Sequence, residues 1–219
     1  MGFGLLFIGY FFMLSLPVGG IDLLPDFIGC LIMLAGLKTL VSHCPGNRGF
    51  QYAGFTLYPL TVLSIAILGC QLAASSGMLS DSLRAYLYVP LTVVYTIAVG
   101  VFHALLFSGI YVLSREVGLP KLSNRARRML VLTALYYICE LLAALGITNL
   151  IANGARNPDV VLSYINLVIY VLGSLWLILS WALILTCYMR ICLEGDEDMP
   201  YRDNVHDRIV SCLKKKKKK

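Results

Sequence analysis

Residues 160–191 read VVLSYINLVIYVLGSLWLILSWALILTCYMRI, and from Val160 to Met189 no side chain carries a charge. A helix needs about 20 mostly apolar residues to cross a hydrocarbon core of ~30 Å, and this stretch exceeds that. A membrane barrel would instead show ten-residue segments of alternating polarity. Working outward, five more apolar segments precede it: Gly2–Gly19, Leu23–Leu40, Gln51–Ala74, Ala85–Leu113 and Arg127–Leu150. The first two are short. The expected fold is all-α, a polytopic membrane bundle of six transmembrane helices over residues 1–192. A charged cytoplasmic tail follows over 193–219, disordered or lying on the membrane surface.

Composition agrees with that solvent. Apolar residues make up 58% of the chain and charged residues 14%, with a mean hydropathy of +0.78. A water-soluble fold would have too little polar surface to cover itself. The net charge of +6 equals the terminal run Lys214–Lys219. None of the seven cysteines forms a Cys-x-x-Cys pair, and most lie in apolar segments, where Cys behaves as a small hydrophobe. Neither a disulfide framework nor a zinc site is expected, and no cofactor. The first segment has no basic region before it and no small-residue cleavage site after it, so it reads as a span rather than a signal peptide.

Basic residues in short loops mark the cytoplasmic side. The connection before the fifth segment holds Arg115, Lys121, Arg125, Arg127 and Arg128 against Glu116. Lys38, His43 and Arg48 flank the second connection, and the C-terminal end is basic. The first connection has only Asp22 and Asp26; the third and fifth are near neutral. Six crossings put every basic connection on one side, which makes both termini cytoplasmic. A shift of 77 residues also lays the third and fourth segments on the fifth and sixth, matching Thr56 to Thr133 and Gly69 to Gly146 among others. A duplicated hairpin is one explanation; shared apolar composition is the other.

The stretch Ile21-Asp22-Leu23-Leu24-Pro25-Asp26-Phe27-Ile28-Gly29 is the least generic. Asp22 can cap a helix, Pro25 fits its first turn, and Asp26 meets the positive end of the macrodipole. Alternatively the two carboxylates form an outward cation or proton site. With Leu31–Leu37, this stretch resembles the N-terminal hairpin of uncharacterised multi-pass proteins of low-GC Gram-positive bacteria. The resemblance covers about a sixth of the chain. It implies a bacterial plasma membrane and carries no activity.

Two titratable residues sit inside spans. At 1.5 Å per residue, His103 and Glu140 lie roughly 15–20 Å from the cytoplasmic interface, at a shared depth where an unpaired charge is costly. They are expected to face each other, or else Glu140 bonds a tyrosine or a backbone carbonyl while His103 packs elsewhere. Steps of 4, 7 and 11 return to one helix face. They align Thr92, Thr96 and His103; Thr133, Tyr137, Glu140 and Thr148; Asn166, Tyr170, Gly173 and Ser180; and Ser64, Gln71 and Ser75. Four such stripes would converge on an outward vestibule floored by His103 and Glu140, or they are polar helix-end residues bonding their own backbones. Gly100, Ala104 and Ser108 form a small-residue seam for helix contact. The candidate solute- or ion-binding residues are Glu140, His103, Tyr137, Thr96, Gln71, Asn166, Asp22 and Asp26.

Trp176 and Trp181 lie mid-span, as packing residues or as a stacking platform for an aromatic solute. The terminal lysine run could hold anionic lipid at about 1 kcal/mol per residue, and Val205, Ile209 and Leu213 could lay a short helix there. Nucleic acid is not expected, because no aromatic interleaving accompanies the charge. The expected function is small-solute or ion binding or transport, as a multi-pass membrane protein that works alone or with partner subunits. The size and span count are similar to those of substrate-capturing membrane subunits of vitamin transporters, an architectural analogy only. No Gly-rich phosphate loop is present, so ATP hydrolysis would belong to a partner. The alternative is a non-catalytic scaffold or interaction subunit. An enzyme is the weakest reading, since a lone His and a lone Glu come with no metal cluster or nucleophile elbow.

Overall fold

A computed structural model describes residues 2–13, 17–18, 21–22, 26–76, 81–146 and 157–191. Six helices make up nearly all of it. They are α1 (Gly2–Phe11), α2 (Asp26–His43), α3 (Arg48–Ser75), α4 (Asp81–Glu116), α5 (Pro120–Ala144) and α6 (Pro158–Arg190). Four are long and apolar enough to cross a membrane: α2, α3, α4 from Tyr86 onward, and α6. Helix α5 falls short because its last 18 residues still include Arg127, Arg128 and Glu140.

Helix α1 corrects the sequence expectation. Its ten residues rise only about 15 Å, half a hydrocarbon core. Instead of a continuous span to Gly19, the strands Pro17–Val18 (β1) and Ile21–Asp22 (β2) pair antiparallel, Pro17 with Asp22 and Val18 with Ile21. Pro17 has no N–H to continue a helix ladder. Asp22 is therefore a strand residue and not the cap of α2, which begins at Asp26 with that carboxylate in its first turn.

Glycines set the helix spacing where backbones touch. On α1, Gly2 and Gly9 are seven residues apart; on α2, so are Gly29 and Gly36. A Cβ on Gly29 would lie 2.7 Å from the Gly9 carbonyl oxygen, and one on Gly36 2.8 Å from that of Gly2. The two antiparallel helices thus meet backbone to backbone at two levels, two turns apart. In lipid, where side chains gain little by leaving solvent, this close van der Waals approach holds helices together.

Helices α3 and α4 are joined by a buried polar residue. Asn47, the N-cap of α3, accepts from Phe50 N–H at 3.4 Å and donates from Nδ2 to the Gly109 carbonyl at 2.8 Å. It is only 2% exposed, and beside it a Cβ on Gly49 would come within 2.6 Å of the Gly109 backbone. Asn47→Leu removes both bonds and adds bulk, so we expect a loss of about 2–3 kcal/mol, read as thermal unfolding in detergent. Asn47→Asp keeps the cap but sets a buried carboxylate oxygen against the Gly109 carbonyl, so it is expected to lose at least as much.

The fully buried apolar residues gather toward one end of the bundle. They include Phe3 and Leu6 of α1, Leu37 and Leu40 of α2, Phe50 and Leu57 of α3, and Phe107 and Ile110 of α4. That end contains the α2–α3 and α4–α5 turns, where Lys121, Arg125, Arg127 and Arg128 are all exposed. Helices α4 and α6 begin 77 residues apart, at Asp81 and Pro158, but α3 and α5 begin 72 apart, at Arg48 and Pro120, so the repeat offset does not run through both helix pairs.

Candidate solute cavity

The opposite half of the bundle is not filled. A cavity of about 390 Å³ lies between the end of α1, the start of α2, the second half of α3, the first half of α4, the second half of α5 and the middle of α6. Of the candidate residues, Asp26, Gln71, Thr96, His103, Tyr137 and Glu140 all border it. Asn166 does not: it is exposed on α6. Asp22 is placed by its backbone in β2, and its side chain lies outside the described residues, as do Thr148 and the whole tail from 192 onward.

Periodicity explains the convergence. On α4, Tyr88, Thr92, Tyr95, Val99 and His103 recur at three- and four-residue steps, so one stripe of a 3.6-residue helix faces inward. Tyr136, Tyr137 and Glu140 do the same on α5. Ser64 and Gln71 are a seven-residue step apart on α3. Each of these residues lines the cavity.

His103 lies deepest and is wholly buried. It does not pair with Glu140. Its Nδ1 is 2.8 Å from the Val99 carbonyl and 3.0 Å from the Tyr137 hydroxyl. Protonated, Nδ1 donates to the carbonyl, which can only accept; unprotonated, it accepts from the Tyr137 hydroxyl. Nε2 has no hydrogen-bond partner. Aromatic rings account for this. Trp176 meets the imidazole edge-on at 4.7 Å, Tyr137 stacks at 5.6 Å, Phe102 lies at 5.0 Å and Tyr10 at 5.4 Å. A second polar atom in this cluster, the Tyr10 hydroxyl, is also buried without a partner.

The walls are polar and aromatic. Tyr95 donates to Asp26 Oδ2 at 2.7 Å and so ties α4 to α2 at the cavity edge. Trp176 donates from Nε1 to Thr133 Oγ1 at 2.9 Å, and its ring stacks on Tyr136 at 5.2 Å with a 16° interplanar angle. These two bonds fix one tyrosine and one indole as rigid surfaces. The α5–α6 contact is close here, since a Cβ on Gly173 would meet the Tyr136 ring at 3.0 Å. Glu140 is half-buried on the same wall.

Tyr95 and Tyr136 were missing from the sequence-based candidates, and Trp176 was read there as a packing residue or a stacking platform. Tyr95 falls on the Tyr88–Thr92–Val99 stripe, and Trp176 lies between Gly173 and Ser180 on the α6 stripe, so step counting reaches both. The stacking of Trp176 on Tyr136 has no such signal. Trp181 has a different role, stacking on Phe11 at 5.9 Å and tilted against Phe7 at 5.6 Å.

A second, mostly apolar hollow of about 290 Å³ runs between α4 and α5, bordered by Gly100, Ala104, Thr133 and Ile138. Thr96 and Tyr137 border both spaces. Of the small-residue seam, Gly100 makes the close contact, 3.1 Å from Cβ to the Tyr137 ring, while Ala104 is exposed.

Among the described residues no group of three or more His, Cys, Asp or Glu side chains is placed to hold a metal ion. No protein-family model, curated protein or solved structure matches the chain.

Proposed function

We propose that the protein is a six-span integral membrane protein of the bacterial plasma membrane that binds a small solute in this cavity for uptake or transfer. In this arrangement α5 carries its cations at the interface. Both termini are cytoplasmic. One observation carries the reading: five helices direct polar or aromatic side chains into a single unfilled space, in the half of the bundle remote from the exposed arginines. Under the positive-inside rule that half faces outward. A pocket of this size lies in the ordinary range for small-molecule sites, roughly 300–1,000 Å³.

Orientation is tested by Lys121→Cys, which should resist a membrane-impermeant maleimide in intact cells and label after permeabilisation. Labelling from outside would reverse the topology and close the cavity to the exterior. For the solute, native mass spectrometry of protein extracted into mild detergent should find a small molecule at one per chain. Glu140→Gln should release it, whereas Asp22→Asn should retain it. Stoichiometric protein partners without a bound solute would favour a scaffold or interaction subunit instead.

A further inference from the structure

The apolar hollow between α4 and α5 and the cations of α5 share one helix face. Leu130, Ala134, Ile138 and Leu141 form the α5 wall of the hollow, at steps that return to the same side of a helix. A step of three back from Leu130 reaches Arg127, which is exposed. Steps of three and four from Asn124 reach Arg127 and Arg128, so these three exposed side chains are surface neighbours. The opposite wall includes Ile97, Val101 and Ala104 of α4, all exposed. The hollow therefore opens on the outside of the bundle, with guanidinium groups at its basic end.

Length and polarity decide what fits. From Leu130 to Leu141 the helix rises about 17 Å, close to half of a ~30 Å hydrocarbon core. With Arg127 at the cytoplasmic interface, the hollow spans the depth of one acyl chain of the inner leaflet. Of its lining residues only Thr96, Thr133 and Tyr137 carry polar side-chain atoms. Thr133 and Tyr137 already bond inward, to Trp176 and His103, which leaves little to hold water. Arginine matches a phosphate with two parallel donors, and cations at the cytoplasmic surface attract anionic headgroups. We propose that this seam binds one anionic phospholipid. Its phosphate meets Arg127, Arg128 and Asn124, and one acyl chain lies in the hollow against Tyr137. The site rests on the membrane reading above and is independent of the solute.

The test is native mass spectrometry of the full chain, delipidated in detergent and titrated with dioleoylphosphatidylglycerol or dioleoylphosphatidylcholine. We expect the anionic lipid to bind at one per chain and at least tenfold more tightly. Arg127→Gln should reduce that preference to threefold or less. Arg125→Gln removes the same charge two residues away, on the opposite side of the helix, and should leave the preference within twofold of the parent. Ala104→Phe should fill the hollow and weaken both lipids at least fivefold, with Ala134→Phe as the second variant if the first does not fold. Equal losses in the two arginine variants would reduce the site to diffuse charge attraction and overturn it. Undiminished binding in the filled variants, or no lipid on the parent, overturns it too. A dimer mass without lipid would give the hollow to a second copy instead. Each of these results leaves the membrane reading intact; a chain that stays monodisperse in water without detergent overturns that reading as well.

Discussion

Gly29→Leu is expected to cost more than about 3 kcal/mol and to lower the melting temperature in detergent by roughly 10 °C. A Cβ at that position would be 2.7 Å from the Gly9 carbonyl oxygen and 3.0 Å from Phe12 Cβ. A flexible side chain could move away, but a backbone oxygen inside a helix cannot. The substitution therefore forces α1 off α2, and with it Tyr10, whose ring packs edge-on against His103 at 5.4 Å. Solute binding should weaken as a consequence. Gly54 and Gly69 provide the controls, since a Cβ on either meets nothing within 4 Å. Leucine at those positions should leave the melting temperature within about 2 °C, helped slightly by the higher helix propensity of leucine. Equal losses at Gly29 and Gly54 would show that the glycine pairs do not set the α1–α2 spacing.

The second large effect belongs to Trp176. Truncating a buried tryptophan to alanine costs about 3–5 kcal/mol. Here the indole is 5% exposed, covers the edge of His103, stacks on Tyr136 and donates to Thr133. Trp176→Ala should lower the melting temperature by roughly 10 °C or more and abolish solute retention, because one rigid wall is gone. Trp176→Phe keeps a ring face but loses the Nε1 donor, so its cost should be about 1–2 kcal/mol with partial retention. Trp181→Ala makes the comparison, since Trp181 packs on Phe7 and Phe11, away from the cavity. That variant should lose stability and still hold solute. A Trp176→Ala protein that binds as well as the parent would remove the aromatic wall from the site.

The fold and much of the site follow from periodicity and hydropathy. His103, Thr96 and Thr92 on one helix, and Tyr137 and Glu140 on another, recur at steps that return to the same face, so their convergence on an interior space is legible without coordinates. The failures have physical causes. A run of apolar residues such as Gly2–Gly19 looks the same to a hydropathy count whether it forms a helix throughout or breaks into a β-ladder at Pro17. Asn166 shares its stripe with Gly173 and Ser180, yet it is exposed. The His103–Glu140 pair was expected from equal depth alone, and depth says nothing about azimuth: the imidazole turns to Val99 and Tyr137 instead. The glycine pairs Gly2–Gly9 and Gly29–Gly36 were visible as seven-residue repeats, but only the antiparallel crossing shows that they meet.

By itself the sequence determined the helical class, the presence of helices apolar enough to cross a membrane and the basic side of the bundle, because lipid compatibility and charge asymmetry are sums over residues and need no partner. It also determined which face of each helix is polar, since that is a local property of a 3.6-residue turn. Only the tertiary structure decided which faces meet, that the core fills one end and leaves the other hollow, and that aromatic rings rather than a carboxylate surround His103. Those outcomes depend on how closely two backbones approach and how each helix is rotated about its axis. Both are fixed by contacts between residues far apart in the chain.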